Sequence, residues 1–78
     1  MSTLALPDVT EFKIELNRED NGRWLAAVKS LPGVMVYAAT QEEAVSRVEV
    51  LALRRIADRL ERGELDKVPA AVTFGRPA

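Results

Sequence analysis

Carboxylates are the main source of possible chemistry in this 78-residue chain, because it contains neither cysteine nor histidine. Asp8, Glu11, Glu15, Glu19 and Asp20 all fall in its first third. Paired carboxylates can hold Mg²⁺ or divide acid and base roles between them. Glu11 and Glu15 share the wet face of one alternating segment, so they serve equally well as the soluble side of a strand, which is the favoured reading. A metal-dependent nuclease built on Glu11 and Glu15 is the least supported function. Lys29 and Ser30 are neighbours on an extended segment and point to opposite faces, which disfavours a Ser-Lys dyad. The absence of cysteine excludes disulfides, thiol nucleophiles and thiolate metal sites. The absence of histidine excludes a Ser-His-Asp triad and removes the commonest acid–base catalyst at neutral pH. The glycines Gly22, Gly33, Gly63 and Gly75 are isolated, so no phosphate loop is present. No enzyme activity, metal or cofactor is expected.

The elements that carry these residues follow from local pattern. Phe12, Ile14 and Leu16 alternate with Glu11, Lys13 and Glu15, the signature of a half-buried strand. A polar stretch ending in Asn21-Gly22 predicts a hairpin. Arg23 to Lys29 is apolar on both faces, as in a strand central to a sheet. In Leu31-Pro32-Gly33, proline sets φ for the second turn position and glycine supplies the positive φ of a type II turn. Val34 to Ala38 resumes as a strand. Thr40-Gln41-Glu42-Glu43 is a capping box opening a helix from Gln41 to about Arg62, with Gly63 as its stop. Glu43/Arg47, Arg54/Asp58 and Asp58/Arg62 are spaced for i,i+4 pairs. Val68, Ala70, Val72 and Phe74 alternate as a last strand, with Pro69 suggesting an edge position. The expected fold is α+β, a two-layer β-β-β-α-β sandwich. Residues 1–10 form a lead-in, 11–74 the domain and 75–78 a tail.

The helix carries more apolar surface than one sheet face needs. At 100° per residue, Ala44, Val48 and Leu51 lie together, with Val45 and Ala52 beside them. Further along, that line becomes Arg55, Arg59 and Arg62, while Val50, Leu53, Ile56, Ala57 and Leu60 lie well around the barrel. Either the helix curves and the tail or last strand covers the second set, or Val50, Leu53, Ala57 and Leu60 meet another chain. The second is favoured, and these four residues are the candidate oligomer interface. The arginine line reads as a solvated helix end suited to the dipole. Chains this small gain only about 3–5 kcal/mol from one core, which also points to self-association.

Eleven Lys+Arg against twelve Asp+Glu give a net charge of −1, which argues against direct nucleic-acid binding. No apolar run approaches the roughly 20 residues of a membrane helix. Met1 to Pro7 lacks the basic start and apolar core of a signal peptide. The expected location is the cytoplasm.

The ordered set Gly22-Arg23-Trp24-Leu25-Ala26-Ala27-Val28, Leu31-Pro32-Gly33-Val34 and Ala39-Thr40-Gln41-Glu42-Glu43-Ala44 resembles the HicB antitoxin family. Asn21 stands where that family usually has Asp or Gly, and the likeness extends over roughly residues 11–66. The resemblance implies a partial RNase H fold, and a role in binding and neutralising a HicA-type mRNA-cleaving toxin. It also implies dimers or tetramers. Many members carry a C-terminal DNA-binding domain, for which this sequence leaves no room, so autorepression through such a domain is not expected. Trp24, Met35 and Tyr37 are the candidate toxin-binding anchors, because large aromatic and adaptable side chains dominate interface energetics. The alternative is a stand-alone oligomeric structural or regulatory module with no toxin partner.

Overall fold

A computed structural model describes residues 6–77. Residues 1–5 of the expected lead-in, and Ala78 of the expected tail, lie outside the described residues. The order is β1 (Val9–Lys13), β2 (Glu15–Arg18), β3 (Trp24–Ala27), β4 (Met35–Ala38), α1 (Gln41–Glu61) and β5 (Ala71–Gly75). The protein is an α+β fold, with four strands, one long helix and a final strand.

The first alternating segment is longer than its pattern suggested and divides at Ile14. Its N-terminal half, β1, pairs in parallel with β5, placing Phe12 opposite Phe74. Its C-terminal half, β2, pairs antiparallel with β3, and β3 pairs antiparallel with β4. The Ile14 N–H donates to the Gly75 carbonyl at 2.9 Å, so Ile14 continues the β1–β5 ladder while β2 starts the other. The expected β-β-β-α-β order thus becomes β-β-β-β-α-β by division of the first strand. Residues 9 and 10, expected in the lead-in, belong to β1. Thr10 is buried, and its hydroxyl donates to the Pro7 carbonyl, which removes the cost of burying it.

Local chemistry closes the turns. Gly22 has φ +85°, its N–H donates to the Glu19 carbonyl, and the Glu19 N–H donates to the Arg23 carbonyl. This is a three-residue loop with glycine in the left-handed position, rather than a two-residue Asn-Gly turn. Asn21 instead accepts the Arg23 N–H on its side-chain oxygen at 3.0 Å. Gly33 has φ +80° and the Val34 N–H reaches the Leu31 carbonyl at 3.1 Å, as a type II turn demands.

The Thr40 hydroxyl accepts the Glu43 N–H at 3.1 Å and caps α1. The Glu43 carboxylate pairs forward with Arg47 at 3.3 Å. At the other end, Gly63 has φ +72°, its N–H donates to Leu60, and the Glu64 N–H donates to Arg59. That is a Schellman motif. Leu65, in the stretch between the helix stop and the last strand, is buried to 4% exposure. A single apolar residue just beyond a glycine stop anchors the returning chain on the core.

The core runs through Phe12, Ile14, Ala26, Val28, Leu31, Val34, Ala38, Ala44, Val48, Ala52, Ile56 and Leu65. The helix packs on β3 and β4 through Ala44, Val48, Ala52 and Ile56, one i,i+4 row. Such a row drifts about 40° per step. The contact therefore moves around the helix and takes in Ile56, which the sequence pattern had placed with the outer set. The last strand begins at Ala71; Val68 is exposed and Pro69 is buried before it. The tail is held by Arg76, whose guanidinium donates to both Glu49 carboxylate oxygens at 2.7 and 2.8 Å. That hydrogen bond, and then the charge of Glu49, raises the Arg76 pKa further above its ordinary value.

Candidate functional site

The early carboxylates are dispersed by the fold. One Asp8 oxygen accepts the Ala70 N–H at 3.3 Å, joining the start of β1 to the approach of β5. Glu15 pairs with Lys29 at 3.3 Å, both at the surface. Asp20 lies in the hairpin loop. Glu11 is exposed on β1 beside Gly75. Among the described residues no three acidic groups converge in a set able to hold a metal ion. A groove of about 680 Å³ runs past Glu11, Lys13, Glu15, Lys29 and Arg76. Its charges largely answer one another, because Lys29 pairs with Glu15 and Arg76 with Glu49.

The sheet offers a different kind of surface. Side chains alternate across a strand, and register then decides which share a face. Trp24 lies opposite Ala38 and Ala26 opposite Val36. Ala26 and Ala38 are buried, and Trp24 packs against the core. Trp24 therefore stands on the helix-covered face, with the Arg18 guanidinium 5.7 Å from its ring centre. Met35 lies opposite Ala27 and Tyr37 opposite Leu25, on the other face. Trp24 is thus separated by the sheet from Met35 and Tyr37, and the three expected anchors do not form one surface.

The uncovered face groups Met35 and Tyr37 with Leu25 and Ala27, which sequence reasoning had not singled out. Met35 is 53% exposed and Tyr37 43%. The Arg23 guanidinium sits 5.1 Å from the Tyr37 ring centre. On β2, Asn17 and Glu15 lie opposite Leu25 and Ala27, and Glu15 carries the Lys29 pair. The result is an apolar centre of four residues with a polar border. β4 ends the order β2-β3-β4, so Met35 and Tyr37 stand on a terminal strand. The missed signal was parity: the loop closed by the Val28 N–H on the Val34 carbonyl, with the Gly33 turn inside it, sets the β3–β4 register, which brings Leu25 and Ala27 beside the two larger side chains.

The second surface lies on α1. Val50 and Leu53 are each 48% exposed, Leu60 is 39% exposed, and Ala57 is exposed as well. Among the described residues neither the tail nor β5 covers them. Arg54, expected to pair with Asp58, does not, because Asp58 pairs with Arg62 at 3.4 Å. Arg55 and Arg59 are half-buried and Arg62 is the helix C-cap, so the arginine line is not a continuous basic strip. No helix among the described residues is long and apolar enough to cross a membrane.

No family model, curated protein or solved structure matches this chain.

Proposed function

We infer that the chain is a protein-binding module that works as HicB-like antitoxins do, neutralising a HicA-type mRNA-cleaving toxin by covering it. The observation that carries this reading is the uncovered sheet face, where Leu25, Ala27, Met35 and Tyr37 form an apolar centre bordered by Arg23, Asn17 and the Glu15–Lys29 pair. An apolar centre inside a polar rim is the anatomy of a protein interface. A methionine beside a tyrosine supplies adaptable and rigid contact area together. Binding by occlusion asks nothing of the module's own side chains except shape and burial, which suits a chain without histidine or cysteine. The resemblance through the Leu31-Pro32-Gly33 turn and the Thr40 cap supports the same role.

The test is co-expression with a HicA-type toxin, read as the mass of the purified complex and as growth rescue. Replacing both Met35 and Tyr37 by alanine should weaken the complex by about 2 kcal/mol or more, roughly thirtyfold, and abolish rescue. Full rescue by the double variant would remove this face from the mechanism. A second reading, a stand-alone oligomeric structural or regulatory module, is favoured by the exposed apolar stripe on α1. A homo-oligomer that co-purifies with no partner and rescues no toxin would select it.

A further inference from the structure

We propose that α1 pairs antiparallel with α1 of a second copy of this chain, through a seam of Val50, Leu53, Ala57 and Leu60. The four residues are spaced 3, 4 and 3 apart, and Ser46 extends the series by 4, the a/d rhythm of a two-helix seam. On a helical wheel the seam is centred about 140° from the middle of the buried row Ala44–Ile56. It therefore faces away from the sheet, and its four residues are exposed among the described residues.

Side-chain volume and charge select the direction. A two-fold axis level with residue 55 sets Val50 against the second copy's Leu60 and Leu53 against the second copy's Ala57. Each layer then joins a larger side chain to a smaller one and fills evenly. A parallel pair would set Ala57 against Ala57 and leave a gap between two larger Leu layers. It would also align the two helix dipoles unfavourably.

Arg54 and Glu61 lie on the same edge of the seam. Both are exposed, and neither is in an ion pair among the described residues. In the antiparallel arrangement Arg54 sits about 1.5 Å from the axis, and the second copy's Glu61 about 9 Å from it on the same side. Helical side chains lean toward their own N-terminus. Arg54 therefore leans toward that Glu61, and that Glu61 leans toward Arg54. The two-fold axis makes the pair twice. In a parallel arrangement the facing carboxylate would be Glu49, which Arg76 already occupies through two hydrogen bonds.

This pairing does not rest on the antitoxin reading, because it uses the opposite side of the molecule from Met35 and Tyr37. Light scattering across micromolar concentrations should give a dimer mass that Leu53→Asp reduces to a monomer mass, with the helical circular dichroism signal kept. Arg54→Glu should weaken association about tenfold, and adding Glu61→Arg should restore it. The cysteine-free chain permits a direct reading of direction. Val50→Cys and Leu60→Cys chains, mixed and oxidised, should cross-link to each other, while neither cross-links to itself. A monomer mass throughout overturns the proposal. So does self-cross-linking of Val50→Cys alone, which would mark a parallel pair. Should Leu53→Asp lose its helical signal, the mixing experiment decides. Tyr37→Ala should leave the dimer intact, so that loss of toxin binding and loss of the dimer are read separately.

Discussion

Tyr37 and Trp24 show how two aromatic side chains on neighbouring strands come to have different uses. Trp24 packs against the core beside buried Ala38, whereas Tyr37 projects from the uncovered face with 43% of its surface exposed. Replacing Trp24 by alanine opens space in the packed layer and should cost about 2–3 kcal/mol, less than a fully buried aromatic because Trp24 is half-buried. Replacing Tyr37 should change stability by under about 1 kcal/mol, since it removes contacts at the surface. Urea unfolding of the two variants checks the assignment; equal losses would contradict it. Gly33 is a second single-residue constraint. A Cβ there would meet only Arg55 Nη2 at 3.6 Å, so space is not limiting. The φ of +80° is the obstacle, which no L side chain adopts without strain.

At the scale of the element, α1 presents two apolar rows with different demands. Ala44 and Ala52 have no exposed surface and let the helix axis approach β3 and β4 closely, while Val48 and Ile56 fill the row between and beyond them. Small residues are needed there because the sheet leaves no volume for larger ones. Ala52→Leu should therefore destabilise by about 1–3 kcal/mol through overpacking, despite leucine's good helix propensity. Leu53→Asp, one residue along and 48% exposed, should leave the folded monomer nearly as stable. Thermal melts of the two variants, made at a concentration where the chain is monomeric, compare them directly. A larger loss for Leu53→Asp would mean that the helix is rotated from its described position. The helix ends are set independently of either row, by the Thr40 cap and the Gly63 Schellman motif.

For the molecule as a whole, the decisive contact is the parallel ladder between β1 and β5. It joins residues about sixty apart in sequence, and it is seated by Phe12 and Phe74, whose ring centres are 6.0 Å apart. Beyond the ladder, Arg76 ties the tail to Glu49 on the helix. Apolar burial outweighs an ion pair whose Arg76 side stands in solvent, so Phe74→Ala should loosen β5 more than Arg76→Ala. The Arg76 effect should shrink as salt is added, which hydrogen exchange of the β5 amides would follow. Equal exchange in the two variants would give the ion pair the same weight as the Phe74 ring and contradict this ranking. The layer order also carries a consequence for assembly. The uncovered sheet face and the outer row of α1 lie on opposite sides, so a dimer joined through α1 would display two sheet faces outward.

Features whose causes are local were legible in the sequence by itself. The type II turn at Pro32-Gly33, the Thr40 cap, the Gly63 stop and the bounds of α1 all rest on φ preferences and hydrogen bonds within a few residues. The α+β class and the surplus apolar surface of the helix followed from periodicity. The division of the first strand at Ile14 and its parallel pairing with β5 were not legible, because they depend on which distant strand each half meets. The hairpin at Gly22 was foreseen but not its three-residue form, which the bond from the Glu19 N–H to the Arg23 carbonyl decides. Tertiary structure likewise separated Trp24 from Met35 and Tyr37, and chose Ala44, Val48, Ala52 and Ile56 as the buried row. Periodicity shows that a residue is apolar on some face; only register and docking, which integrate contacts across the whole chain, decide which face is covered.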